Sequence, residues 1–307
     1  MDKTDAVVLR VVEYSETSLV VTLYTRQFGK LAAIAKGARR PKSPFEGALD
    51  LLSVCDVVLI RKPADQLAIL TEAKLVRRFR GGENQAWSRS ARLARLHGAF
   101  YLVELLRRLV EDGQGQENLF ELLLATIARI EGQADLLATI LYFEVQALKL
   151  LGHAPRTQSC VCCGRWRSAG DPALPSALHA TEETAQHPGK QRKRLCITSA
   201  SSVSEAADVF RTTAPNNFLN SKKQITFGLL SIGVLCDTCT PSERNAMLIR
   251  PETLALLDRF MQANGPLPDS EIQGAIVELR SLIRRILEGL LGQSLRLGCY
   301  VPVALQQ

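Results

Sequence analysis

Three cysteines fall within four positions in SCVCCGRW (159–166), in a chain with few other reactive side chains. Cys160 and Cys163 form C-x-x-C, a spacing that lets both thiolates of one tight turn face a single metal ion. A tetrahedral site needs two more ligands. Cys236 and Cys239 supply them in a second C-x-x-C, LCDTC, but 72 residues intervene, against roughly 15–20 in a compact zinc ribbon. Either the site closes over a long insertion, or the two pairs are unrelated. The energetics allow closure. Two doublings of loop length cost about 1.2 kcal/mol, whereas structural zinc contributes roughly 10–16 kcal/mol in small peptides. The spacing therefore predicts one structural zinc per chain on Cys160, Cys163, Cys236 and Cys239. Four protein ligands leave no open position for catalysis. The alternative is a set of small buried cysteines without metal. Cys162 is expected to point away, Cys196 to be a free thiol, and Cys55 and Cys299 to lie in the core.

A second concentration of chemistry is cationic. Lys36, Arg39, Arg40 and Lys42 crowd AKGARRPKS (35–43) without an acid, and Gly37 and Pro41 mark the stretch as a loop. Lys74, Arg77, Arg78 and Arg80 follow, then Arg89, Arg92 and Arg95. Residues 1–80 carry 14 Lys/Arg against 9 Asp/Glu, so most of the net charge of +7 sits at this end. Such clusters suit a polyanion, nucleic acid first among them. The bland alternative is a solvated basic face. Aromatics are sparse there: Tyr14, Tyr24, Phe28, Phe45 and Phe79. Binding would thus rest on the phosphate backbone and tolerate many sequences. No P-loop, H-E-x-x-H or G-x-S-x-G motif occurs, and His97, His153, His179 and His187 are scattered. The chain is expected not to be an enzyme.

The elements that must position these groups can be read from periodicity. AVVLRVV (6–12), LVVTLYT (19–25), LAAIAKG (31–37), SVCDVVLIR (53–61) and LAILTEA (67–73) are short strands bounded by turn-forming stretches. Five strands with no long helix between them predict a closed barrel, an OB-fold, with an SH3-like barrel as the alternative. After RGGENQAW (80–87), which reads as a linker, the apolar period becomes helical, at Leu102, Leu105, Leu106 and Leu109, again at Leu119, Leu123, Leu124 and Ile127, and again at Leu137, Ile140, Leu141, Val145 and Leu148. Gly152 and Pro155 end the third helix. PETLALLDRFMQ (251–262) and a segment over 268–292, capped at Asp269 or Ser270, complete the helices. The expected architecture is multidomain α+β. An OB barrel occupies 1–80, a helical domain 81–158 and 241–307, and a four-cysteine zinc ribbon 159–240. The ribbon holds an insertion over about 169–223, expected to be largely disordered with one short helix near 203–210. The start lacks the apolar core of a signal peptide, and no run approaches about 18 apolar residues, so a cytoplasmic protein without membrane contact is expected.

Taken in order, these segments resemble the bacterial RecO family. VLRVVEYSETSLVVTLYTRQFGKLAAIAKGARRPKSPFEGALDLL (8–52) is similar to the family's start, including the KGARRPKS loop. The likeness continues through FYLVELLRRLVEDGQGQENLFELLLATIARI (100–130), FEVQALKLLGHAPRTQSCVCCG (143–164) and GVLCDTC (233–239), and more loosely in LLGQSLRLGCYV (290–301). The resemblance implies an OB barrel, a helical domain and a zinc ribbon. It implies a mediator of DNA repair and recombination that binds single- and double-stranded DNA and anneals complementary strands. With the partner RecR, it would help load the RecA recombinase on DNA coated by single-strand-binding protein, in the bacterial nucleoid. By the same resemblance Lys36, Arg39, Arg40 and Lys42 contact DNA and the four cysteines bind zinc; the clustering of basic residues adds Lys74, Arg77 and Arg78 to the expected DNA surface. The insertion, with KQRKR (190–194), is longer than the family pattern, and LRLGCY (295–300) stands where a Lys-Ser pair is expected. The rival reading is an RNA- or ribosome-associated OB/zinc-ribbon protein.

Overall fold

The N-terminal strands close on themselves. In the computed structural model, which describes residues 1–45, 47–61, 67–81, 87–165, 224–268, 272 and 274–301, five strands form a barrel in the order β1-β2-β3-β5-β4. They are β1 (Asp2–Glu13), β2 (Leu19–Thr25), β3 (Gly29–Ala35), β4 (Val54–Ile60) and β5 (Ala68–Arg77). Only β3 and β5 run parallel, with Ala33 opposite Ala68. Closure comes from β1 against β4, where Ala6 faces Cys55. This is the OB arrangement, and it leaves no edge strand. β1 begins four residues before the apolar run, because Asp2–Asp5 pair with β4 through backbone groups that need no apolar side chain. The interior is filled by small and branched residues such as Val8, Val21, Leu23, Val57 and Leu59.

One outer face of the barrel is also apolar. Val7, Leu9, Tyr24 and Leu52 join the core of the helical part. That part consists of α1 (Arg89–Leu109), α2 (Glu117–Glu131), α3 (Leu136–Leu150), α4 (Pro251–Gln262) and α5 (Ile276–Leu291). Ser88 Oγ accepts from Ala91 N–H at 3.2 Å and Asp135 Oδ1 from Ala138 N–H at 2.7 Å, capping α1 and α3. Gly152 (φ 83) ends α3, and His153 N–H reaches back to the Leu148 carbonyl at 2.8 Å. α5 is shorter than its apolar pattern suggests, since Gly274 (φ 90) breaks the helix before Ile276. The expected caps Asp269 and Ser270 lie outside the described residues, as do the insertion over 169–223, its short helix near 203–210, the KQRKR segment and Cys196. Among the described residues no helix is long and apolar enough to cross a membrane.

Barrel and helices meet backbone to backbone. A β-carbon at Gly29 would lie 2.0 Å from the Gln114 carbonyl oxygen, and one at Gly115 would lie 2.0 Å from that of Gln27. The Lys30 carbonyl accepts from Gly113 N–H at 2.9 Å, and Lys30 Nζ donates to the Arg107 carbonyl at 2.8 Å. Arg26 bridges Asp5 on β1 to Glu117 and Glu121 on α2. Gly115→Ala therefore forces the joint apart. Loss of about 1–3 kcal/mol is expected, read as a lower denaturation midpoint. Ala at the exposed, contact-free Gly289 is the control and should not destabilise.

A buried ion pair ties the helices together. Arg280 on α5 donates from one nitrogen to both oxygens of Glu144 on α3, at 2.6 and 2.8 Å, and the two side chains are 5% and 0% exposed. Tyr101 on α1 donates its hydroxyl to the same carboxylate.

Candidate metal centre and nucleic-acid interface

The second half of the chain returns to the first at a small sheet. Strands β6 (Ile225–Gly228), β7 (Gly233–Leu235) and β8 (Ala246–Ile249) pair in the order β7-β6-β8. β8 joins the sheet although AMLI is too short to carry a strand pattern in sequence. Arg156 and Val161 hydrogen-bond across to β7, through Val234 N–H to the Arg156 carbonyl at 2.9 Å and Val161 N–H to the Val234 carbonyl at 3.0 Å. Two tight turns are thereby brought face to face. In one, Gly164 (φ 72) lets its N–H reach the Cys160 carbonyl; in the other, Cys239 N–H reaches that of Cys236. Hydrophobic anchors hold the sheet to the helices, since Phe227, Val234 and Ile249 belong to the main core.

The four sulfurs of Cys160, Cys163, Cys236 and Cys239 lie within 4.8 Å of one another, so the group could hold a metal ion. Cys163 Sγ and Cys236 Sγ are 3.7 Å apart. Four sulfurs at about 2.3 Å from one tetrahedral ion stand about 3.8 Å apart, so the donor set fits. Charge is also prepared. Burial opposes ionisation of Cys160, but the backbone N–H groups of Cys163, Cys236 and Cys162 outweigh it and bring the thiol down to about 6. Cys236 is lowered as well, chiefly by the Cys239 N–H. Cys239 is pushed up to about 12 by the neighbouring Cys236 sulfur. Without a cation the cluster thus resists full ionisation, and a divalent ion would relieve that resistance. Cys162 is exposed and outside the group, and Cys55 is buried in the barrel with its thiol pushed up to about 12, mainly by burial. Cys299 departs from expectation. Its neighbours in sequence are apolar, yet it sits exposed on the short 3-10 turn Arg296–Tyr300.

Lys36, Arg39, Arg40 and Lys42 are all exposed on the loop that leaves β3. Arg39 N–H donates to the Thr17 carbonyl at 3.1 Å, which fastens this loop to the β1–β2 turn, and Lys42 takes a left-handed backbone (φ 59). Of the four, Arg39 has an acid partner, Glu13 at 3.2 Å. The parallel pairing of β3 with β5 sends the loop and the end of β5 out of the same end of the barrel. Lys74 is exposed partway along β5, opposite Asp56 on β4. Arg77 and Arg78 are engaged, with Glu131 on α2 at 3.4 Å and Asp50 at 3.2 Å. Farther along, Arg95 binds the Ile130 and Ala134 carbonyls and covers Trp87 at 4.2 Å. Of the five aromatics in this region, Tyr24 and Phe45 are buried, Phe28 is covered by Arg61 at 4.0 Å, and Phe79 packs against the core. Tyr14 is 66% exposed on the β1–β2 turn, at the same end as the loop.

Comparison with known families and proteins agrees with this geometry. Residues 1–79 match the family model of the recombination protein O N-terminal region, and residues 90–177 match that of its C-terminal region. The chain is 35% identical to a DNA repair protein RecO of Rhodopirellula baltica over 97% of both chains. It is 36% identical to one of Chloroherpeton thalassium over 56% of this chain and 64% of the relative. A relative from Syntrophus aciditrophicus is 36% identical over 52% of this chain and 60% of its own length.

Proposed function

The chain belongs to the recombination protein O family, a family of DNA repair and recombination, and from that premise we propose that it is a recombination mediator without bond-making chemistry. It binds single- and double-stranded DNA through Lys36, Arg39, Arg40 and Lys42, with Lys74 extending the surface. Arg77 and Arg78 contribute less, because each already faces an acid. Neutralising the phosphates of two strands on one barrel end lowers the repulsion that slows their pairing, so complementary strands anneal. With RecR the protein helps RecA load on DNA coated by single-strand-binding protein. Zinc on Cys160, Cys163, Cys236 and Cys239 is structural. It locks the two cysteine turns against the helical core and leaves no coordination position for substrate.

The observation that carries the reading is the exposed, backbone-fastened group of four cations at an open end of an OB barrel, in a chain of this family. If all four meet phosphates of a single strand, the slope of log affinity against log salt is about −3 from them alone. Arg39→Glu with Arg40→Glu should flatten the slope by about 1.4 or more and weaken binding strongly at low salt. Fluorescence titration of a labelled oligonucleotide across a salt series reads both. Unchanged affinity would remove the loop from the interface, and stronger binding to structured RNA with no annealing would favour the RNA-associated reading.

A further inference from the structure

A cleft of about 680 Å³ opens between β1, α1 and the 3-10 turn at Arg296–Tyr300. Its wall is cationic. Arg10, Arg107, Arg108 and Arg296 line it against a single acid, Glu104. Glu104 is already committed: its carboxylate accepts from Arg296 N–H at 3.0 Å and Leu297 N–H at 2.9 Å and pairs with Arg108 at 3.0 Å. Among the described residues the guanidinium groups of Arg10, Arg107 and Arg296 donate no hydrogen bond and form no ion pair. The β1 ladder is built to present one of them. Its register slips between Val8 and Arg10, a bulge that turns Leu9 into the helical core and leaves Arg10 exposed. The floor is apolar, with Phe100 on α1 and Leu51 on the loop before β4.

We infer that this cleft binds unpaired nucleic acid, its arginines holding phosphates and Phe100 receiving a base that is free of a partner strand. Charge decides the ligand class, because three unmatched arginines around an apolar floor suit a polyanion with planar faces. Position supports it. The Leu51 loop is the one that carries Lys36–Lys42, and Glu13, the partner of Arg39, stands three residues beyond Arg10 on β1, about 10 Å along the strand. A strand held at the loop thus continues into the cleft. A duplex has no unpaired base to offer, so the cleft favours single strands over paired ones. The inference rests on the DNA-binding reading above, and the test separates the two.

The test uses the full chain with three probes: labelled oligodeoxythymidylate, a labelled duplex, and a labelled peptide ending in acidic and apolar residues. Variants are Arg10→Glu with Arg107→Glu, the milder Arg10→Ala with Arg107→Ala, Phe100→Ala, and Arg39→Glu with Arg40→Glu, each checked by thermal melting. The alanine pair should flatten the single-strand salt slope by about 1.4. Phe100→Ala should weaken single-strand binding about tenfold and leave the duplex unchanged. Full single-strand affinity in every folded cleft variant, with loss only in the loop variant, would overturn the cleft and leave the DNA reading standing. Loss of the peptide alone in the cleft variants would make this a protein-docking site and overturn the inference. Absence of DNA binding by the unaltered chain at low salt would defeat both readings.

Discussion

Replacing Cys236 and Cys239 with Ser should take the metal content of the purified protein from about one zinc per chain to none and unfold the sheet beneath the site. The reason lies in how the site is assembled. Its two halves are 72 residues apart in sequence, and the paired strands that join them, β6 and β7, are four and three residues long. So short a sheet stores little stability of its own. Metal binding at such sites contributes roughly 10–16 kcal/mol in small peptides, comparable to a whole domain's usual margin of about 5–15 kcal/mol. Because Phe227, Val234 and Ile249 sit in the main core, the damage should spread as raised amide exchange in α4 and at the end of α3. Cys162→Ser is the internal control, being exposed and outside the cluster, and should keep its zinc. Metal analysis with hydrogen exchange on both variants decides it. Zinc retained without Cys236 and Cys239, or lost without Cys162, would put the ligands elsewhere.

Arg280→Ala should cost about 3–5 kcal/mol, the second large effect. It strands the fully buried Glu144 carboxylate, with only the Tyr101 hydroxyl still donating to it. Burial opposes the charge on Arg280, but Glu144 overrides it and raises the guanidinium pKa above its ordinary value; the Tyr101 phenol is raised too, in its case chiefly by burial itself. Arg280 therefore keeps its charge in the folded chain. Removing both charges together, with Arg280→Met and Glu144→Leu, should restore most of the loss, since well-packed apolar replacements of buried pairs are often neutral. A melting temperature about 10 °C lower for the single variant, largely recovered in the double, is the expected pattern. A single variant that melts like the parent would mean that water reaches the pair.

These two predictions differ in how far the sequence foretold them. The cysteine pairs were legible because metal ligation depends on side-chain type and local spacing, which survive any insertion. The barrel was legible for a similar reason. Each strand is a short apolar run between turn residues, and five such runs have few ways to hide their edges. The Glu144–Arg280 pair was not, because 136 residues separate partners that lie within apolar helical stretches. The joint at Gly29 and Gly115 depends likewise on two loops meeting in space. The slipped register of β1 that exposes Arg10 leaves no mark in VLRVV. Cys299 was misread for the opposite reason: apolar neighbours suggested burial, but a turn of a few residues can expose its members whatever their company. Lys36, Arg39, Arg40 and Lys42 stand exposed on a loop as expected, while Arg77 and Arg78, alike in sequence, are drawn into ion pairs with Glu131 and Asp50.

The central claim is mediated annealing, and one measurement meets it directly. Two complementary labelled oligonucleotides are mixed without ATP, bare or coated with the cognate single-strand-binding protein, across a salt series. The account predicts that the protein accelerates pairing on both, that coating does not abolish the effect, and that the acceleration fades as salt rises and is lost with Arg39→Glu and Arg40→Glu. No acceleration at low salt by a folded, zinc-loaded chain would contradict it.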